Sequence, residues 1–103
     1  MELKARQLLN QENLNLTSGV FLVEGVEVKN FGNGDVPGLN IVDTSDALGK
    51  YWFGLGRVMQ NRLRTYNLKP EDLVGKKIRI SVENVKFKKF GKKDVMVISE
   101  IID

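Results

Sequence analysis

Residues 85–95 read V-K-F-K-K-F-G-K-K-D-V, five lysines and two phenylalanines in eleven positions around one glycine. Lysine ammoniums pair with phosphates and release condensed counterions. A ring face stacks on any base for about 1–3 kcal/mol. Glycine marks a turn, so Lys86, Lys88, Lys89, Lys92 and Lys93 are expected to fan around a hairpin tip. Phe87 shares its parity with Val85 and points inward on that reading, while Phe90 sits beside the turn. Such a tip suits single-stranded nucleic acid. The alternative is that both rings cover the end of a barrel while the lysines guard a strand edge against pairing.

A second cluster is Lys50-Tyr-Trp-Phe53. Strand alternation puts Tyr51, Phe53 and Leu55 on one face and Lys50, Trp52 and Gly54 on the other. The all-apolar set is the better core face, so Trp52 is expected outward beside Lys50. The converse, Trp52 buried with Tyr51 and Phe53 partly exposed, stays open. Lys29 and Phe31 close the preceding strand, where Phe31 either stacks on a base or staples the loop. Arg57, Arg62 and Arg64 read as a solvated helix face and stay outside the site.

Enzymatic chemistry finds little support. There is no cysteine and no histidine, which removes thiolate nucleophiles, Cys-ligated metals and the commonest general base near neutral pH. F-G-N-G-D and G-L-G-R pair glycines without completing a nucleotide fingerprint or a P-loop. Asp43 and Asp46, in D-T-S-D, read as a turn held by side-chain to backbone hydrogen bonds rather than as magnesium ligands. Glu24 and Glu27, three apart on a strand, face opposite sides. No catalytic residue, metal or cofactor is expected.

The elements must then position these residues. Residues 2–10 have helical spacing and are interrupted by Asn10, Asn13 and Asn15, which predicts a short helix or arm over residues 1–17, acting as a packing lid or an assembly arm. Val20 to Phe31 reads as a strand: Val26 and Val28 alternate with Glu27 and Lys29, the run before Gly25 is apolar on both parities, and Gly25 marks a bulge or bend. Leu39–Val42 and Lys50–Leu55 are strands, D-T-S-D-A-L-G a turn, and Arg57 to Tyr66 a helix with Leu55, Met59, Leu63 and Tyr66 as its stripe. Pro70–Leu73 is one helical turn. Ile78, Ile80 and Val82 alternate in a fourth strand whose parity slips near Glu83–Asn84, predicting a bulge there. Asp94–Ile102 is the fifth. Three strands, a helix and two strands predict a mainly β, five-stranded OB-fold Greek-key barrel over residues 18–103, with an SH3-like barrel as the runner-up.

The length of 103 residues suits one domain. Residues 1–49 carry a net charge of −4 and residues 50–103 one of +7. That asymmetry points to a polyanionic partner. No apolar run reaches the ~20 residues of a membrane helix, and the N-terminus lacks a signal-peptide core, so a cytoplasmic protein without a membrane partner is expected.

The stretch L-V-G-K-K-I-R-I-S-V-E-N-V-K-F-K-K-F-G-K-K-D-V-M-V-I resembles the closing hairpin of small phage and bacterial OB-fold single-stranded DNA-binding proteins. There a leucine-x-glycine-lysine entry leads into a strand, a basic turn with an aromatic-glycine pair, and an apolar strand. The resemblance implies sequence-indifferent binding of single-stranded DNA during replication or recombination, and a homo-oligomer. Trp52, Phe87 and Phe90, with Phe31 as a further ring, would stack on bases; Lys50, Lys86, Lys88, Lys89, Lys92 and Lys93 would hold the backbone. The rivals are an RNA-binding OB domain and a structural or adaptor β-barrel, of virion or tail type, whose rings form a protein interface.

Overall fold

The computed structural model describes residues 6–89 and 91–102. The chain is mainly β, with one six-stranded sheet curled into a half-barrel. In chain order the elements are β1 (Gln7–Leu8), α1 (Gln11–Leu14), β2 (Val20–Asn30), β3 (Asp35–Asp43), β4 (Asp46–Gly54), α2 (Arg57–Thr65), a 3-10 turn (Pro70–Leu73), β5 (Lys77–Phe87) and β6 (Gly91–Ile102). The strands lie side by side as β1-β4-β3-β2-β5-β6. The long strands and the helix follow the order that the periodicity predicts. The two-residue β1 is additional, so the strands number six among the described residues rather than five.

β2 serves both halves of the sheet. Val20–Leu22 pair antiparallel with Lys77–Arg79 of β5, while Phe21–Asn30 pair with β3. The register shifts between Val23 and Gly25, which is the bulge expected from the glycine. Phe21, Val23, Leu39, Ile41, Phe53, Leu55, Ile78 and Val97 fill the concave side, each no more than 1% exposed. β3 and β4 extend past their apolar centres because a strand continues as long as its ladder does. β4 therefore begins at Asp46, inside the stretch read as a turn. The tight turn left over is held by Asp43: its carboxylate accepts from the Ser18 and Ser45 hydroxyls and backbone amides. Burial raises this carboxyl's pKa, but the hydrogen bonds from Ser18 and Ser45 outweigh it and leave the group below its ordinary value.

α2 closes one end. Met59 and Leu63 are buried in the core, as its stripe predicts. Tyr66 departs from that prediction: it is the helix C-cap and is 75% exposed. Asn67 turns the chain with φ +57°, so Tyr66 falls where the helix has already ended. Arg62 donates to both carboxylate oxygens of Glu83 at 2.8 and 2.6 Å, tying α2 to β5. That hydrogen-bonded guanidinium holds the Glu83 carboxyl below its usual range.

Two further expectations are corrected. The predicted slip near Glu83–Asn84 is absent, since Val82 to Phe87 pair without interruption with Met96 to Gly91. The register shift falls instead between Arg79 and Ile80, where Ser99 of β6 is the extra residue. Of the stretch 2–10, expected as a short helix or arm, residues 2–5 lie outside the described residues; Gln7–Leu8 form β1, and a helical turn comes at α1, where Asn10 and Asn13 do not break it but cap it. Asn10 and Asn13 form a reciprocal capping box at 2.8 Å each way.

β4 and β6 do not pair with each other among the described residues. The N-terminal segment lies at that opening. β1 runs parallel to β4, Leu9 N donates to Trp52 O at 2.9 Å, and Gln11 Nε2 donates to Asp94 O of β6 at 3.1 Å. Leu9 and Leu14 sink into the core. No helix among the described residues is long and apolar enough to cross a membrane.

Candidate functional site

Alternation places Glu27, Lys29, Gly38, Asn40, Lys50, Trp52 and Gly54 on the convex face of β2, β3 and β4, opposite the core. Trp52 faces outward, as its parity predicts, but it is not exposed: only 4% of its surface is accessible. The reason lies in its neighbours. Gly38 and Gly54 are paired across β3 and β4 and leave the room in which the indole lies. A methyl group at Gly38 would overlap the ring, and one at Gly54 would come within 3.0 Å of it. Trp52 Nε1 donates to Glu27 O at 2.9 Å, which anchors the ring's polar edge. Phe31 then packs over it, with centroids 5.7 Å apart and planes tilted by 50°. Lys29 Nζ stands 5.6 Å from the indole centroid, within cation–π range.

Phe31 is the ring this arrangement offers to solvent, 51% exposed. It covers Trp52 and keeps an open side. Its loop needs glycine at Gly32 and Gly34, with φ of +90° and +128°. Beneath it Asn40 Nδ2 donates to Glu27 Oε1 at 3.0 Å, and Glu27 Oε2 lies 3.4 Å from Lys29 Nζ. The Asn40 amide, followed by Lys29, holds the Glu27 carboxyl below its ordinary range.

The β5–β6 hairpin forms the second group. Lys86, Lys88, Lys89 and Lys92 are all exposed and have no ion pair among the described residues. Lys86 stands directly opposite Lys92, and Val85 opposite Lys93. Like charges so placed repel, and an anion between them relieves the repulsion. Phe87, opposite Gly91, is half-buried; with no slip at Glu83–Asn84 it shares the parity of Ser81 and Glu83 and not, as the inward reading required, that of Ile78 and Ile80. Phe90 lies outside the described residues. At the base of the tip Asn84 Nδ2 donates to Asp94 Oδ1 at 2.9 Å.

The expected site residues therefore fall into two groups. Phe31 and Trp52 are in contact, with Lys50 on the same face two positions along β4. Lys86, Phe87, Lys88, Lys89, Lys92 and Lys93 belong to the hairpin. Because β5 runs antiparallel to β2 and pairs only with its first residues, the tip projects away from the end of β2 that carries Phe31. Sequence reasoning missed Gly38 and Asn40. Gly38 reads as one of several loop glycines in V-P-G-L-N, and nothing local announces that an indole two strands' length away in sequence lies upon it.

The geometry defines a class: a curled, mainly β domain with a ring pair on its convex face and a lysine-crowded hairpin. Beyond that class no comparison adds a name, for no protein-family model, curated protein or solved structure matches this chain.

Proposed function

We propose that this chain is a non-catalytic OB-type barrel that binds single-stranded nucleic acid, DNA in the first place, with little regard to sequence. The observation that carries this reading is the half-exposed Phe31 ring, braced from below by an immobilised Trp52, on the convex face of β2–β4. A braced ring loses little freedom when a base stacks on it, so more of the stacking energy appears as affinity. The exposed lysines of the hairpin supply the salt-sensitive hold on phosphates. Every such contact is to a base face or to the backbone, neither of which carries sequence information. Protection of transient single strands in replication or recombination is the role that follows, in the cytoplasm of a bacterium or during phage growth.

The test is a fluorescence titration. Trp52 is the single tryptophan, and it touches Phe31. Adding oligo-dT at low salt is expected to change its emission saturably, with affinity falling steeply as salt rises. A comparable response to oligo-U assigns the RNA rival equal standing. Silence toward both oligonucleotides removes the nucleic-acid reading.

A second reading has one observation of its own. Met59, Leu63, Leu68, Ile98 and Ile101 line an open groove of about 670 Å³ between α2 and β6, with Tyr66 at its rim. An adaptor barrel would use that groove and leave the hairpin idle.

A further inference from the structure

One row of residues crosses four strands on the convex face. Lys50 of β4 pairs with Val42 of β3, Val42 with Leu22 of β2, and Leu22 with Lys77 of β5. Their chain neighbours Phe21, Val23, Ile41 and Ile78 are all in the core, at most 1% exposed, so the row itself points outward. Its two ends are exposed lysines and its middle is two half-buried aliphatic side chains. Three strand spacings of ~4.8 Å put the two lysine backbones about 14 Å apart along the sheet.

The charges around this row are unevenly committed. Glu24 is held by Arg6 at 2.8 Å, Glu27 by Lys29 at 3.4 Å and Glu100 by Arg79 at 3.2 Å. Lys50 and Lys77 have no ion pair among the described residues, and so they carry uncompensated charge. The row also lies between the two groups described above. Following β2 forward from Leu22 leads to Phe31; following β5 forward from Lys77 leads to Lys86. Each path is nine residues, about 30 Å if extended, too far for one contact to serve both.

Resting on the nucleic-acid reading, we propose that Lys50 and Lys77 form an intermediate phosphate-holding station, with Leu22 and Val42 as an apolar floor between them, over which a single strand passes from the Phe31 ring to the lysine hairpin. Two phosphates neutralised there contribute to the salt dependence of binding, at about 0.7 per contact for a single strand.

The experiment measures oligo-dT affinity against salt for the wild type, for the Lys50→Gln/Lys77→Gln double variant, for Lys50→Arg/Lys77→Arg, and for Arg64→Gln, a cation on α2 away from the row. Thermal melts confirm that each variant is folded. The Gln pair is expected to make the slope of log K against log salt shallower by about 1.4. The Arg pair keeps the wild-type slope, and so does Arg64→Gln. A wild-type slope in the Gln pair overturns the station while leaving the hairpin and the ring standing, as does an equal loss in Arg64→Gln. Absence of binding by the wild type overturns the functional reading itself, and the two failures are thereby told apart.

Discussion

Trp52 and its glycine seat show how one side chain fixes its surroundings. An indole buries a large area, yet its N–H must find an acceptor. Here Glu27 O provides one at 2.9 Å, and the absence of side chains at Gly38 and Gly54 provides the space. The ring cannot slide toward the strand or away from Glu27, so Phe31 rests on a fixed support. Gly38→Ala tests this directly. The added methyl collides with a stiff ring rather than with a flexible chain end. Denaturant unfolding is expected to show a loss of about 1–3 kcal/mol, the usual cost of overpacking, and the Trp52 emission to shift to the red as the indole is lifted into water. An unshifted spectrum at wild-type stability would mean that the ring has somewhere else to go.

Among the elements, the β5–β6 hairpin is where charge opposes folding. Eleven of the twelve residues of β6 pair with β5, but at the tip Lys86 faces Lys92. A cross-strand pair of opposite charge stabilises, and a like pair does the reverse. Lys92→Glu converts one into the other. The melting temperature is expected to rise while oligo-dT binding weakens, and the two effects have opposite sign because the repulsion is what an incoming phosphate relieves. A variant that became more stable and bound equally well would take the hairpin out of the interface. α1 carries a different lesson at the same scale. Three asparagines in a row of polar residues look like an interruption, because Asn disfavours helix interiors. Asn10 at the N-cap and Asn13 at the third position start a helix instead.

At the scale of the molecule, the sheet curls without β4 and β6 pairing among the described residues, and the segment of residues 7–14 occupies the opening. Its β1 adds only two residues to the ladder, but Leu9 and Leu14 join the same core as Phe21 and Phe53. Leu9 is 6% exposed. Leu9→Ala is therefore expected to cost about 2–5 kcal/mol in a single cooperative transition. A loss well below that range, or a separate early transition, would show the segment to be laid on the barrel rather than built into it. A curled sheet also explains why ring and hairpin stand apart: β2 bends at its bulge after Val23, sending its far end one way while β5 leaves in the other.

Period-two runs at Val26–Lys29 and Ile78–Val82, the change of period after Gly56 and the apolar stripe of Met59 and Leu63 depend on near neighbours in the chain, and they were legible without coordinates. So were the outward parity of Trp52 and the cationic hairpin. Burial of Trp52, by contrast, needed two glycines from different strands. The offset of Ser99, the capture of Asp43 by Ser18 and the alignment of Lys50 with Lys77 likewise join residues at least eighteen apart. Alternation says which face a side chain takes, because that is set by the backbone's own geometry. What covers that face is set by register between strands, and only the assembled sheet decides it.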